Sequence, residues 1–100
     1  MNDDQDKLNV LRKIQKRPDS SQREFAKELG FSLGKFNYCI KALKQKGLIK
    51  IKNFKQNPNK INYLYVLTPK GIAEKTKLTV NFMERKMREY DELRKELKHK

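Results

Sequence analysis

The sequence is poor in the residues that hold metals, form disulfides or punctuate a chain. Its 100 residues contain one cysteine, one histidine, three prolines, four glycines and no tryptophan. The lone Cys39 excludes an intramolecular disulfide and a multi-cysteine zinc site. His99 stands one residue from the end, so no cluster of His, Cys and carboxylates is available for metal binding or acid–base chemistry. No cofactor is expected, and neither is an enzyme. Apolar runs fall far short of the ~20 residues of a membrane span, and no signal-peptide pattern opens the sequence, so a cytoplasmic location is expected. A chain of this length supports one modest core and no separate catalytic module.

Acidic residues are scarce as well. Twelve Asp and Glu against 25 Lys and Arg leave a net charge of +13. Residues 84–100 hold seven basic and five acidic side chains, so +11 of the excess lies on residues 1–83. An excess placed on the body of a small domain, and not on a basic tail, points to a polyanionic partner, most often nucleic acid.

The chain is organised around Ser20–Lys46. Apolar residues at Phe25, Ala26, Leu29, Phe31, Phe36, Cys39, Ile40 and Leu43 give two short helices one buried stripe each. Ser20 or Ser21 can cap the first, with Glu24 placed as in a capping box. Gly30 suits the turn and Ser32 caps the second. This is a helix-turn-helix pattern, and the second helix turns Ser32, Leu33, Gly34, Lys35, Asn37, Tyr38, Lys41 and Lys44 outward. Those groups can read base edges, with lysines nearby for phosphates.

Before this unit, Met1–Asp6 reads as loose and Asp6–Lys16 as a helix with Leu8, Leu11 and Ile14 inward. Arg17-Pro18 ends it. After it, Gly47 stops the second helix, and Leu48–Phe54 and Asn62–Leu67 alternate as two strands of a hairpin. Lys55, Asn57, Asn59 and Lys60 decorate the intervening turn as a basic wing suited to phosphate or minor-groove contact. Tyr63 and Tyr65 share one face of the second strand, where cross-strand packing accounts for them. Thr68-Pro69 then opens a helix that runs to about Leu97, roughly 45 Å at 1.5 Å per residue. Val80, Met83, Met87 and Tyr90, continued by Leu93 and Leu97, form a coiled-coil-like seam that a small domain cannot bury alone. The expected fold is mainly α with a small β-hairpin: a winged helix-turn-helix over residues 1–67 and a long C-terminal helix over residues 68–100, acting as a dimerisation element.

Two near misses are set aside. Gly30–Lys35 reads G-x-x-x-G-K, one residue short of a phosphate-binding loop, with Phe36 where a hydroxyl is needed. Cys39 lies on the same stripe as Phe36, Ile40 and Leu43 and reads as a small core residue before a redox sensor.

Ser21–Leu43 (SQREFAKELGFSLGKFNYCIKAL), Lys46–Phe54 (KGLIKIKNF) and Leu67–Tyr90 (LTPKGIAEKTKLTVNFMERKMREY) together resemble the MarR-type regulators. The match is to one small branch, the MarR family exopolysaccharide-associated transcriptional regulators, and covers nearly the whole chain. The resemblance implies a DNA-binding regulator that acts as a dimer and is found near polysaccharide biosynthesis genes. The sequence departs from the larger MarR proteins in showing no long N-terminal helical extension, so dimerisation is expected mainly on the C-terminal helix. The phenolic-ligand pocket those proteins place between their dimerisation and DNA-binding parts is not carried over as an expectation. No small-molecule effector is identified.

The expected function is therefore sequence-specific binding of double-stranded DNA as a homodimer joined through Val80–Leu97. A protein-interaction adaptor and an RNA-binding winged helix are the alternatives. The high positive charge argues against the first, and a preference for stem-loop RNA would reveal the second.

Overall fold

The computed structural model describes residues 3–57 and 60–98, with side chains described outside residues 3 and 54–62. The elements run α1 (Asp3–Lys16), α2 (Gln22–Leu29), α3 (Leu33–Gln45), β1 (Ile49–Asn57), β2 (Lys60–Leu67) and α4 (Pro69–Lys98). The first helix begins at Asp3, earlier than the polar start of the chain suggested. Asp3, Asp4 and Asp6 stand in its opening turns, where the helix dipole favours negative charge.

Local chemistry sets the next three boundaries. Ser21 is the cap of α2, its hydroxyl accepting the Glu24 N–H at 3.1 Å, while Ser20 is buried in the turn. Gly30 takes φ +72°, and the Phe31 N–H reaches back to the Ala26 carbonyl at 2.8 Å. That closure turns the chain sharply enough for Ser32 to cap α3, through the Lys35 N–H at 3.1 Å. Lys46 ends α3, and Gly47 follows in the left-handed region at φ +73°.

The two strands pair antiparallel from Ile49 opposite Leu67 to Asn57 opposite Lys60, with an irregularity between Lys55 and Asn57. Both run further toward the tip than their composition suggested. Each added cross-strand pair satisfies backbone groups, and that outweighs weak strand propensity. At the other end the hairpin is tied to the helices, with the Tyr65 N–H donating to the Pro18 carbonyl at 3.0 Å.

One core lies between these layers. Leu8, Val10, Leu11 and Ile14 of α1 are buried, together with Phe25 and Ala26 of α2 and Phe36, Ile40 and Leu43 of α3. Val10 lies outside the narrow Leu8–Leu11–Ile14 stripe. It is buried because α1 packs against α2, α3, β2 and α4, so more than one of its faces is covered. At the centre Phe25 stacks on Phe36 with centroids 5.5 Å apart, and Tyr65 meets both rings edge-on at 5.6 and 6.3 Å. Such pairs add about 0.5–1.5 kcal/mol each beyond their burial. Cys39 is half-buried and packs against this core from its side.

Only the first half of α4 joins the domain. Leu78 is buried and Phe82 half-buried against the core, and every residue from Met83 to Lys98 is exposed. The molecule consequently measures 67 × 26 × 20 Å, with the helix as its long arm.

Candidate nucleic-acid interface

The α3 helix is amphipathic along its whole length. Phe36, Ile40 and Leu43 point into the core, which turns Gly34, Asn37, Tyr38 and Lys41 outward and leaves Leu33 and Lys44 at the borders of that face; all six are exposed. Tyr38 is 76% exposed, far beyond what a packed tyrosine shows. Nothing lies within 4 Å of where a side chain on Gly34 would start, so this part of the face is open to close approach. Ser32 is engaged as a cap through its hydroxyl.

The lysines divide into two kinds. Lys35 is half-buried, 3.3 Å from the Asp6 carboxylate and 4.2 Å from the centre of the Phe31 ring, so its charge is held toward α1 and not toward the open face. Lys41 and Lys44 have no ion pair among the described residues. Acids of the domain are in part used internally: Glu28 lies 3.5 Å from Lys13 and 3.8 Å from Arg17, and Glu74 lies 3.7 Å from Lys7. The α3 face itself carries no acid, so its unpaired lysines set the sign of the local potential.

Sequence reasoning missed Asp6. Its carboxylate sets the direction of Lys35, yet 29 positions separate the two residues and no local pattern links them. It also missed Gln22, whose amide donates to the Tyr65 hydroxyl at 3.0 Å and joins the start of α2 to the hairpin. The wing residues Lys55, Asn57 and Lys60 lie in the hairpin strands, but their side chains, and Asn59 altogether, fall outside the described residues. The predicted seam residues Val80, Met83, Met87, Tyr90, Leu93 and Leu97 are all exposed, from 48% to 73%. They lie on the projecting arm, away from the core.

The described residues hold no group of three or more His, Cys, Asp or Glu placed for a metal ion. No helix among them is long and apolar enough to cross a membrane.

Residues 4–50 match the family model described as winged helix-turn-helix DNA-binding, and β1 and β2 supply the wing that follows. The fold is a winged helix-turn-helix. Solved structures share this winged helix. Staphylococcus aureus MarR in complex with salicylate and kanamycin superposes with a TM-score of 0.67 at 19% identity, over 86% of this chain and 56% of that one. The transcriptional repressor CouR, bound to a 23-mer DNA duplex, gives 0.71 at 24% identity over 86% and 59%. Streptococcus pneumoniae FabT in complex with DNA gives 0.63 at 23% identity over 86% and 58%. The chain thus spans under three fifths of each of these three proteins, and at such identities the likeness is one of fold. No curated protein matches the sequence.

Proposed function

We propose that this winged helix is a sequence-specific, double-stranded DNA-binding transcriptional regulator of the MarR type, acting as a homodimer. The observation that carries the reading is the outer face of α3, where Asn37, Tyr38, Lys41 and Lys44 are exposed around an open Gly34. In a major groove, Asn37 and Tyr38 meet base edges, Leu33 and Gly34 allow close contact, and Lys41 and Lys44 meet phosphates. Lys35 contributes only if its tie to Asp6 opens. The wing residues Lys55, Asn57, Asn59 and Lys60 take the flanking phosphates or minor groove. The net charge of +13 supports the same partner.

Val80, Met83, Met87, Tyr90, Leu93 and Leu97 form the dimer contact. Two α3 helices presented in this way fit half-sites about one helical turn, roughly 34 Å, apart on a pseudo-palindromic operator. The sequence's resemblance to the exopolysaccharide-associated branch supports an operator near polysaccharide biosynthesis genes.

The test is selection of duplexes from a randomised pool by the full chain, followed by anisotropy titrations against the selected site, an unrelated duplex and a stem-loop RNA. A selected two-fold site bound at least about a hundredfold more tightly than unrelated duplex supports the reading. Equal binding of all duplexes, or preference for the RNA, overturns it.

A further inference from the structure

The exposed arm of α4 carries more than an apolar stripe; the charges beside the stripe distinguish one way of covering it from another. Steps of three and four residues link Val80, Met83, Met87 and Tyr90, and the same alternation carried on reaches Arg94 and Leu97. In a heptad these occupy the a and d positions in turn, with Lys86 and Leu93 at g and Glu84, Asp91 and Lys98 at e. The seam spans about 27 Å at 1.5 Å per residue, and all of its apolar members are exposed.

We propose that a second copy of this chain covers the stripe as a parallel, in-register helix, with Lys86 of each copy set against Asp91 of the partner subunit. This rests on the homodimer reading above and names its geometry. Flanking positions g and e face each other across a parallel pair five residues apart, so the Lys86–Asp91 contact forms twice by symmetry. Within one chain Lys86 is 3.4 Å from Glu89, and its ammonium lies 5.5 Å from the centre of the Phe82 ring. Asp91 has no ion pair among the described residues, so its charge is left for a partner.

An antiparallel pair centred on the same seam sets Met87 against Tyr90 of the partner subunit. The e positions then face each other, which brings Glu84 against Asp91 of the partner subunit and Lys77 against Lys98 of the partner subunit. Both charged pairs on that flank are of like sign, and on the other flank Lys86 meets Leu93 of the partner subunit and gains no opposite charge. The parallel pair has its own cost at Arg94, which faces its copy from an a position. Within the chain its guanidinium rests 5.7 Å from the centre of the Tyr90 ring, and its length carries the charge to the edge of the seam. A single polar residue at an a position fixes register and pair number at some loss of stability.

Sedimentation equilibrium of the full chain tests the dimer, and cysteine pairing tests its direction. In a Cys39→Ala background, Leu97→Cys is expected to cross-link to its own copy in a glutathione redox buffer, while a mixture of Val80→Cys and Leu97→Cys chains yields no 80-to-97 link. Without any added cysteine, Lys86→Glu and Asp91→Lys each weaken the dimer about tenfold, since both symmetric contacts become repulsive. Mixed one to one, those two variants recover as a heterodimer in which both contacts are again opposite in sign. A dimer that forms 80-to-97 links and ignores the charge variants overturns the direction and leaves the homodimer standing. A monomeric full chain overturns both.

Discussion

Gly71 and Leu48 are in backbone contact: a Cβ added at Gly71 would lie 1.9 Å from the Leu48 carbonyl oxygen. The same carbonyl accepts the Thr68 N–H at 3.0 Å, and the Thr68 hydroxyl donates to the Gly47 carbonyl at 2.6 Å while accepting the Gly71 N–H at 3.0 Å. The start of the long arm is thereby joined to the junction between α3 and the wing. The position of the arm relative to α3 depends on this junction.

Gly71→Ala is expected to destabilise the domain by at least about 2 kcal/mol, because the obstacle is backbone and the helix-propensity gain of ~1 kcal/mol offsets only part of it. Gly34→Ala, at an open helical site, should instead raise stability by about 0.5–1 kcal/mol. Urea denaturation of the two variants checks both signs. If Gly34 faces DNA closely, its variant will bind the operator more weakly despite being more stable. Unchanged binding would remove Gly34 from the interface.

Substitutions on α3 should separate base reading from phosphate binding. Asn37→Ala and Tyr38→Ala should each cost about 1–3 kcal/mol on the selected site and little on unrelated duplex. Lys44→Ala should weaken both kinds of complex alike and lower the salt slope by about one. Equal losses on both DNAs from Asn37→Ala would show that α3 does not read sequence.

Asp6 holds Lys35 away from the outer face at 3.3 Å. Asp6→Asn removes that attraction, so affinity for every duplex should rise about threefold with a steeper salt dependence. Anisotropy titrations over a range of salt concentrations provide the measurement. No change in slope would mean that Lys35 stays over the Phe31 ring after release.

Burial pushes the Tyr65 hydroxyl above its ordinary value, more strongly than the Gln22 hydrogen bond draws it down, and Tyr63 adds a smaller upward push. The folded chain therefore keeps this proton where the unfolded chain has lost it. Stability from this group is fully present below the unfolded value of about 10 and is lost as the pH climbs through the higher folded one. Tyr65→Phe should cost about 1 kcal/mol at pH 8 through the lost Gln22 bond. It should also lose less stability than the parent between pH 9 and 11. An identical pH dependence would contradict the burial argument.

Much of this molecule was legible in its sequence because the signals were local. Ser21, Gly30 and Ser32 mark helix ends through bonds to residues a few positions away, and the α3 stripe assigns inner and outer faces by period alone. The same period marked Val80 to Leu97 as a stripe too long for the domain, and those residues are exposed in the structure. Other features arise only when distant segments meet. The extension of both strands toward Asn57 and Lys60 depends on their mutual pairing, and the burial of Val10 on α1 being enclosed by several elements. The Asp6–Lys35 tie, the Gln22–Tyr65 bond and the Gly71–Leu48 contact each join residues more than twenty positions apart. Periodicity and capping determine which elements form and which faces turn inward. Tertiary packing alone decides which charges remain open on those faces, because that depends on what the fold brings beside them.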